Sequence, residues 1–211
     1  MTPAPSVLSV PRIVNQAIGL LDREGVERFS MRRLGHELGV DPMAIYHHLP
    51  NKAALFDAVV DALWGMAAES VAAEAPASDD WRALAAVPMR GLRRILLEHP
   101  RLVPVLATRP AVTPALLGLT DELVGRLASA GLPPASAMPL LDCLVGFTVG
   151  KVQGELREPV GGTDVAPEDA YAAVLAERFP RLAAAFAAGY DWAPEEQFER
   201  GLAALLAGWA A

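Results

Sequence analysis

The 211-residue chain has one cysteine, Cys143, and few aromatic side chains. One thiol cannot form a disulfide within a chain, which excludes a disulfide-stabilised secreted scaffold and fits a reducing cytoplasm. Cys143 lies in the apolar run LLDCLVGF, which predicts a buried, unreactive thiol. Aromatic residues make up 6% against 53% hydrophobic residues, and alanine and leucine dominate the latter. Because both favour helices, we expect an all-α fold.

Targeting and membrane signals are also missing. The N-terminal stretch MTPAPSVLSVPR has no basic segment followed by an apolar one, and 18 uncharged apolar residues never follow each other without a proline or glycine break. We therefore expect a cytoplasmic protein that neither is secreted nor contacts a membrane.

Positive charge is scarce, and the net charge of −7 argues at first against a nucleic-acid partner, which needs local positive charge. The charge is unevenly distributed, however. Residues 1–55 hold six basic and five acidic side chains, for a net charge of +1, whereas residues 56–211 hold 12 and 20, for a net charge of −8. The N-terminal segment therefore remains compatible with DNA binding.

Helix signals follow one another along the chain. Ser9, Ser30, Asp41 and Asn51 each precede a helical pattern and are the expected N-caps of the first four helices, and Gly39 ends the second. Beyond a polar break at 75–80, we predict longer helices over residues 81–98, 101–108, 112–130, 134–157, 167–187 (interrupted near Pro180) and 194–209.

Residues 30–48 indicate two short helices joined by a tight turn at GVD, with Ile45 facing inward. This spacing is typical of a helix-turn-helix, whose second helix enters the major groove. The stretch FSMRRLGHELGVDPMAIYHHLPNKAALFDAVVDAL resembles the DNA-binding motif of the tetracycline-repressor (TetR) family of transcriptional regulators. The resemblance covers about residues 8–70. It implies a helix-turn-helix domain at residues 1–55 and a larger helical domain for effector binding and dimerisation at residues 56–211.

The resemblance also assigns roles at the matching positions. Hydroxyl, imidazole and ammonium groups at the end of the second short helix donate to phosphates, and Arg32 reaches a base edge. Apolar contacts to bases are expected where the tetracycline repressor has hydrogen-bonding side chains. Two alternatives remain open, since Tyr46 also fits a partly buried position and Arg33 a solvated charge. The predicted DNA-binding residues are Arg32, Arg33, Pro42, Met43, Ala44, Tyr46, His47, His48 and Lys52.

Catalytic and metal-binding patterns are not found. HELGV, from His36, begins like the zinc motif HExxH but has Val40 in place of the second histidine. His47 and His48 are adjacent on a helix and therefore diverge. An enzyme built on His99 or Cys143 would lack a visible base, acid or oxyanion donor set. We expect neither an enzyme nor a cofactor or metal site.

The C-terminal half resembles the tetracycline repressors more weakly, and that resemblance implies a small-molecule effector. Positions that match their tetracycline contacts, most of which are polar there, hold apolar or small residues here: Ala68, Pro88, Leu92, Val105, Leu123 and Gly154. We therefore expect an apolar or amphipathic effector rather than a magnesium-bound drug. Each candidate is equally compatible with ordinary core packing. The predicted ligand-binding residues are Trp64, Leu92, Val105, Thr108, Arg109, Leu123, Cys143, Phe147 and Gln153.

A homodimer through a four-helix bundle is also implied by the resemblance. Gly146, Gly150 and Gly154 share one helix face, which either packs against another helix or leaves room for a ligand. For the apolar stripe of the last helix, core packing within one chain is the alternative. The predicted dimer residues are Gly146, Gly150, Phe198, Leu202, Leu205, Leu206 and Trp209.

Together these features predict a ligand-responsive regulator, most simply a repressor that an effector releases from a palindromic DNA operator. The alternative is an intracellular protein that binds apolar ligands and retains a vestigial helix-turn-helix.

Overall fold

The computed structural model describes residues 7–72, 79–109, 112–156, 178–190 and 193–210. All regular structure within these residues is helical, which confirms the predicted fold class. The helices are α1 (Val10–Glu24), α2 (Met31–Leu38), α3 (Pro42–Tyr46), α4 (Lys52–Ala72), α5 (Trp81–Glu98), α6 (Val103–Thr108), α7 (Pro114–Ser129), α8 (Pro134–Glu155), α9 (Pro180–Ala187) and α10 (Pro194–Gly208).

Three of the four predicted N-caps form. The side chains of Ser30, Asp41 and Asn51 each accept a hydrogen bond from a backbone N–H of the following turn, at 3.2, 2.7 and 2.8 Å. Ser9 occupies the cap position of α1 with extended backbone, but its hydroxyl makes no cap bond. These caps set where the short N-terminal helices begin.

Most predicted helix ends agree with the observed ends to within two residues. The exception is the predicted helix 101–108, which is divided into a 3-10 turn, Pro100–Leu102, and α6. Pro104 has no N–H to bond the carbonyl of Pro100, which favours a break here, and it lies in the first turn of α6, where proline is tolerated. Of the predicted helix 167–187, the part before residue 178 lies outside the described residues.

A first core cluster joins the N-terminal helices to the rest of the chain. The helix α4 runs unbroken across positions 55 and 56, so the predicted domain division there falls within a helix and within a shared core. Each fully buried aliphatic side chain contributes about 1.5–3 kcal/mol. The fully buried members of this first core cluster include Ile13, Leu20, Leu34, Ile45, Leu55, Leu63, Leu92, Leu102 and Val152.

A second core cluster lies between α5, α7, α8 and α10. Phe198 is 1% exposed and stacks on Phe147, with ring centroids 5.6 Å apart. Leu202 and Leu206 are buried in the same cluster. These three residues are buried within a single chain, which leaves little of their side chains for the predicted contact with a partner. The alternative, packing within one chain, is the one observed.

Cys143 is exposed, so the prediction of a buried thiol is wrong. Its neighbours Leu141 and Leu144 are buried, but successive residues of a helix point about 100° apart. Cys143 therefore lies on the outer face of α8 with Gly146 and Gly150. By length and composition α8 could cross a membrane. Its inner face packs in both core clusters instead, as the central helix of a globular protein does.

Candidate DNA-binding surface and effector cavity

The turn between α2 and α3 depends on a close approach at Gly35. A Cβ added there would lie 3.0 Å from the carbonyl oxygen of Val40 and 3.1 Å from Cγ of Pro42. The backbone N–H of Val40 donates to the carbonyl of Gly35 at 3.0 Å. Gly39 ends α2 in the left-handed region, with φ of 69°. These contacts bring α3 against α2 in the arrangement that the spacing of residues 30–48 predicts.

A polar network fixes α2 on α1. Glu37 accepts hydrogen bonds from Gln16 Nε2 at 2.6 Å and from Arg23 Nη2 at 2.5–2.6 Å. The bond from Arg23 holds the pKa of the Glu37 carboxyl below its ordinary value. The carboxylate therefore stays ionised to a lower pH than an isolated glutamate does, and continues to orient α2 under mildly acid conditions.

The outer face of α3 is apolar and open to solvent. Ile45 is fully buried and anchors the helix, whereas Met43 is 62% exposed. Pro42 and Ala44 are partly exposed beside it. The three residues predicted to face bases thus lie on a surface that a DNA groove could reach.

The donors at the end of α3 differ in their surroundings. His47 and His48 are exposed. Tyr46 is half-buried and packs against the first core cluster, which agrees with its alternative assignment as a partly buried residue. Arg32, at the start of α2, is exposed.

Arg33 forms an ion pair with Glu24 at the end of α1. Its guanidinium therefore has a partner within the chain, and it is not simply the solvated charge that the sequence left as an alternative.

Lys52 is the first residue of α4 and is held by the chain itself. Its ammonium donates to the carbonyl of Phe29 at 3.2 Å and lies 5.3 and 5.1 Å from the ring centroids of Phe29 and Phe56. An ammonium has three donors, so this contact leaves two for a phosphate. Lys52 thereby ties the loop before α2 to the start of α4.

A cavity of about 520 Å³ lies between α4, α5, α7 and α8. This volume suits a drug-sized molecule. Its walls are mainly aliphatic, with Trp64 from α4 and Leu123 from α7 among them, as predicted. Two positions at which the sequence lacks a polar tetracycline contact, Ala68 and Pro88, also line it.

The other predicted ligand-binding residues lie elsewhere. Leu92 and Val105 are buried in the first core cluster, and Phe147 packs beside the second. Cys143 and Gln153 are exposed and do not line this cavity.

The segment after α6 is instead attached to α4. Arg109 donates from Nε to Oδ1 of Asp57 at 2.6 Å and from Nη2 to the carbonyl of Ala53 at 2.8 Å. The hydroxyl of Thr108 donates to the carbonyl of Pro104 at 2.7 Å. Neither residue lines the cavity, and both make contacts within the chain.

Sequence reasoning missed the residues that α7 and α8 add to the cavity. Leu116 and Thr120 precede the predicted Leu123 at helical spacing along α7, and Asp142 and Val145 follow the same spacing on α8. This spacing is visible in the sequence, but it predicts a buried face and does not distinguish a core from a cavity wall.

A second, charged groove lies between α5 and α10. Arg90 donates to both carboxylate oxygens of Glu199, at 2.8 and 2.7 Å, and this bond lowers the pKa of Glu199. Arg93 pairs with Glu155 at 2.9 Å beneath it. The charges of this groove are therefore largely compensated within the chain.

The glycine face of α8 is open to solvent. Gly146, Gly150 and Gly154 are exposed, and a Cβ added at any of them would meet nothing within 4 Å in the described residues. None of the three glycines is among the α8 residues that line the cavity, although Asp142, which does line it, lies one helical turn before Gly146. Leu205 and Trp209 of the last helix are half-buried.

Comparison with known families gives matches over most of the chain. The family described as "Bacterial regulatory proteins, tetR family" matches residues 13–59. That described as "Tetracyclin repressor-like, C-terminal domain" matches residues 74–211.

Individual relatives agree with these matches. A transcriptional regulator of the helix-turn-helix type from Saccharopolyspora erythraea is 32% identical over 97% of this chain and 86% of its own length. The class A tetracycline repressor from transposon 1721 of Escherichia coli is 34% identical over 94% of this chain and 88% of its own length. Among solved structures, ActR of Streptomyces coelicolor in complex with actinorhodin is 28% identical, covers 97% of both chains and superposes with a TM-score of 0.80.

Proposed function

The chain belongs to the TetR family of bacterial transcriptional regulators, and we propose that it is a homodimeric repressor released from a palindromic operator by an apolar or amphipathic effector. The main support for this proposal is the helix α4, which connects the two predicted sites. Lys52 begins α4 beside the helix-turn-helix, and Trp64 of the same helix lines the cavity. The two residues are about 18 Å apart along the helix at 1.5 Å per residue. A ligand that displaces the cavity end of α4 therefore acts directly on the DNA-binding half.

We assign the DNA contacts to the predicted residues whose side chains are exposed. Met43, flanked by Pro42 and Ala44, offers methyl and methylene groups to thymine C5-methyls, and Arg32 offers a guanidinium to guanine. His47 and His48 supply donors to phosphates. Arg33 shares its charge with Glu24, so we assign it a smaller contribution than Arg32. Lys52 binds phosphate with the donors that Phe29 leaves free.

The effector enters between α4, α5, α7 and α8. Apolar walls, with Ala68, Pro88 and Leu123 in place of polar contacts, favour a ligand that buries hydrocarbon surface. The complex of ActR with actinorhodin supports a ligand site in this fold. Repression is supported by the names of several relatives, which are repressors.

The dimer forms through the outer face of α8, where Gly146 and Gly150 allow close helix approach, together with Leu205 and Trp209 of α10. A two-fold dimer places two recognition helices about 34–36 Å apart, one turn of DNA, and therefore reads a palindrome.

Coupling between the sites is reciprocal by thermodynamic necessity. If an effector weakens operator binding by some factor, the operator weakens effector binding by the same factor. Equal effector affinity with and without operator would contradict the proposed release.

The proposal is tested by capturing genomic DNA fragments with the purified protein at physiological salt and sequencing them. We expect enrichment of a palindrome by the wild type and its loss in Arg32→Ala. Arg181→Ala, which removes an exposed arginine of α9, is the matched control and should retain it. Weak, sequence-independent capture by all three proteins would contradict the proposed regulator function. It would favour the alternative, a ligand-binding protein with a vestigial helix-turn-helix.

A further inference from the structure

The cavity combines an apolar interior with an unbalanced set of charges. Four ionisable residues reach it: Glu69 from α4, Glu122 and Arg126 from α7, and Asp142 from α8. All four are exposed residues, so their charged ends lie at the mouth of the cavity. Three carboxylates and one guanidinium give this mouth a net charge of −2 at neutral pH.

These charges have no close side-chain partner among the residues that the structure describes. Glu69, Glu122, Asp142 and Arg126 form no side-chain ion pair or hydrogen bond with the described part of the chain. Glu122 and Arg126 stand four residues apart on α7, a spacing at which ion pairs form, yet they remain separate. The negative potential of the mouth is therefore available to a ligand.

Two further features favour positive charge. Trp64 is half-buried and lines the cavity, and an indole face attracts organic cations. Glu69 lies three residues before the end of α4, where the helix macrodipole is negative.

We propose that the cavity selects a cationic amphiphile, with an apolar body among the aliphatic walls and an ammonium or comparable organic cation at the mouth. This inference rests on the proposed effector role of the cavity and specifies its ligand class. An anionic amphiphile of the same shape would meet Arg126 but also three repelling carboxylates.

The test uses three probes that have the same octyl group and differ in charge: octyltrimethylammonium, 1-octanol and octanesulfonate. Dissociation constants are measured by isothermal titration calorimetry at low ionic strength and without DNA. We expect octyltrimethylammonium to bind most tightly and octanesulfonate least tightly. Raising the salt should reduce the difference, because exposed charges are screened.

Charge-removing variants locate the effect. Each carboxylate is expected to contribute about 1.5- to fivefold to the affinity for the cation, as exposed ion pairs do. Glu69→Gln/Glu122→Gln/Asp142→Asn should therefore remove most of the preference for octyltrimethylammonium. Arg126→Gln should act in the opposite direction and increase it. All are near-isosteric changes at exposed positions, and unchanged melting temperatures will show that the fold is kept.

A matched control changes the net charge equally but away from the cavity, by Glu27→Gln/Glu98→Gln/Glu195→Gln. It should keep the preference. Equal or tighter binding of octanesulfonate, an equal effect of the control, or no binding of any probe would overturn the inference. Because the titrations contain no DNA, these outcomes leave the operator capture experiment to decide the proposed function separately.

Discussion

Replacing Gly35 by alanine tests the contact that joins the two helices of the DNA-binding motif. Alanine is favoured over glycine in a helix by about 1 kcal/mol. Against this gain, the new Cβ would lie 3.0 Å from a backbone oxygen and 3.1 Å from a proline ring, neither of which moves easily. Overpacking of this kind costs about 1–3 kcal/mol. We therefore expect Gly35→Ala to be neutral to about 2 kcal/mol destabilised.

Gly125→Ala on α7 is the matched control. Gly125 is also within a helix, but a Cβ there meets nothing within 4 Å among the described residues, so the full propensity gain of about 1 kcal/mol is expected. The two variants should thus differ by about 1–3 kcal/mol in the free energy of unfolding, measured by urea denaturation. Operator affinity should fall only in Gly35→Ala, since the overpacking acts on the turn before α3. If both variants gained the same stability, the close approach at Gly35 would be refuted.

Further changes test other parts of the structure. Gly201→Ala would place a Cβ 2.5 Å from Cζ of Phe147, so we expect it to be about 1–3 kcal/mol less stable than Gly125→Ala in urea denaturation, and an equal gain in both variants would contradict this packing. Because Arg90 depresses the pKa of Glu199, their bond stabilises the fold above the ordinary carboxyl pKa and is lost as pH falls through the lowered one. Glu199→Gln should therefore cost about 0.2–1 kcal/mol at neutral pH, and the difference from wild type should shrink under acid conditions. Gly150→Glu should yield a folded monomer in light scattering with unchanged helix content, whereas a persistent dimer would exclude this face. Tetracycline with magnesium should leave the melting temperature unchanged. If it bound the cavity, a concentration of 100 times its dissociation constant would stabilise the fold by about 2.7 kcal/mol and contradict this prediction.

The elements of the fold were largely predictable because their signals are local. Asp41 and Asn51 cap the helices that follow them, and Gly39 ends α2 by its φ of 69°. A cap acts within one turn of backbone, so the sequence alone contains the necessary information.

Assignments that depend on distant parts of the chain were harder to make. The stripe of Phe198 and Leu202 has the same period whether it faces its own chain or a partner, and periodicity could not decide between them. Arg109 forms a hydrogen bond with Asp57, 52 residues earlier, and no local sequence pattern predicts that pairing. Gly35 looked like an ordinary helical residue, since its need for a missing Cβ arises only when α3 folds back on α2.

The unbroken first core cluster has a consequence for engineering. Exchanging DNA-binding halves between regulators is attractive, and the sequence suggests a splice near residue 55. Leu55 and Val59 of α4 belong to that cluster together with Ile13 of α1 and Leu96 of α5. A chimera spliced there would combine half-cores from two parents, and each mismatched large aliphatic position costs about 2–5 kcal/mol. Transplants of this DNA-binding half should therefore carry α4 whole and redesign the side chains it meets on α5.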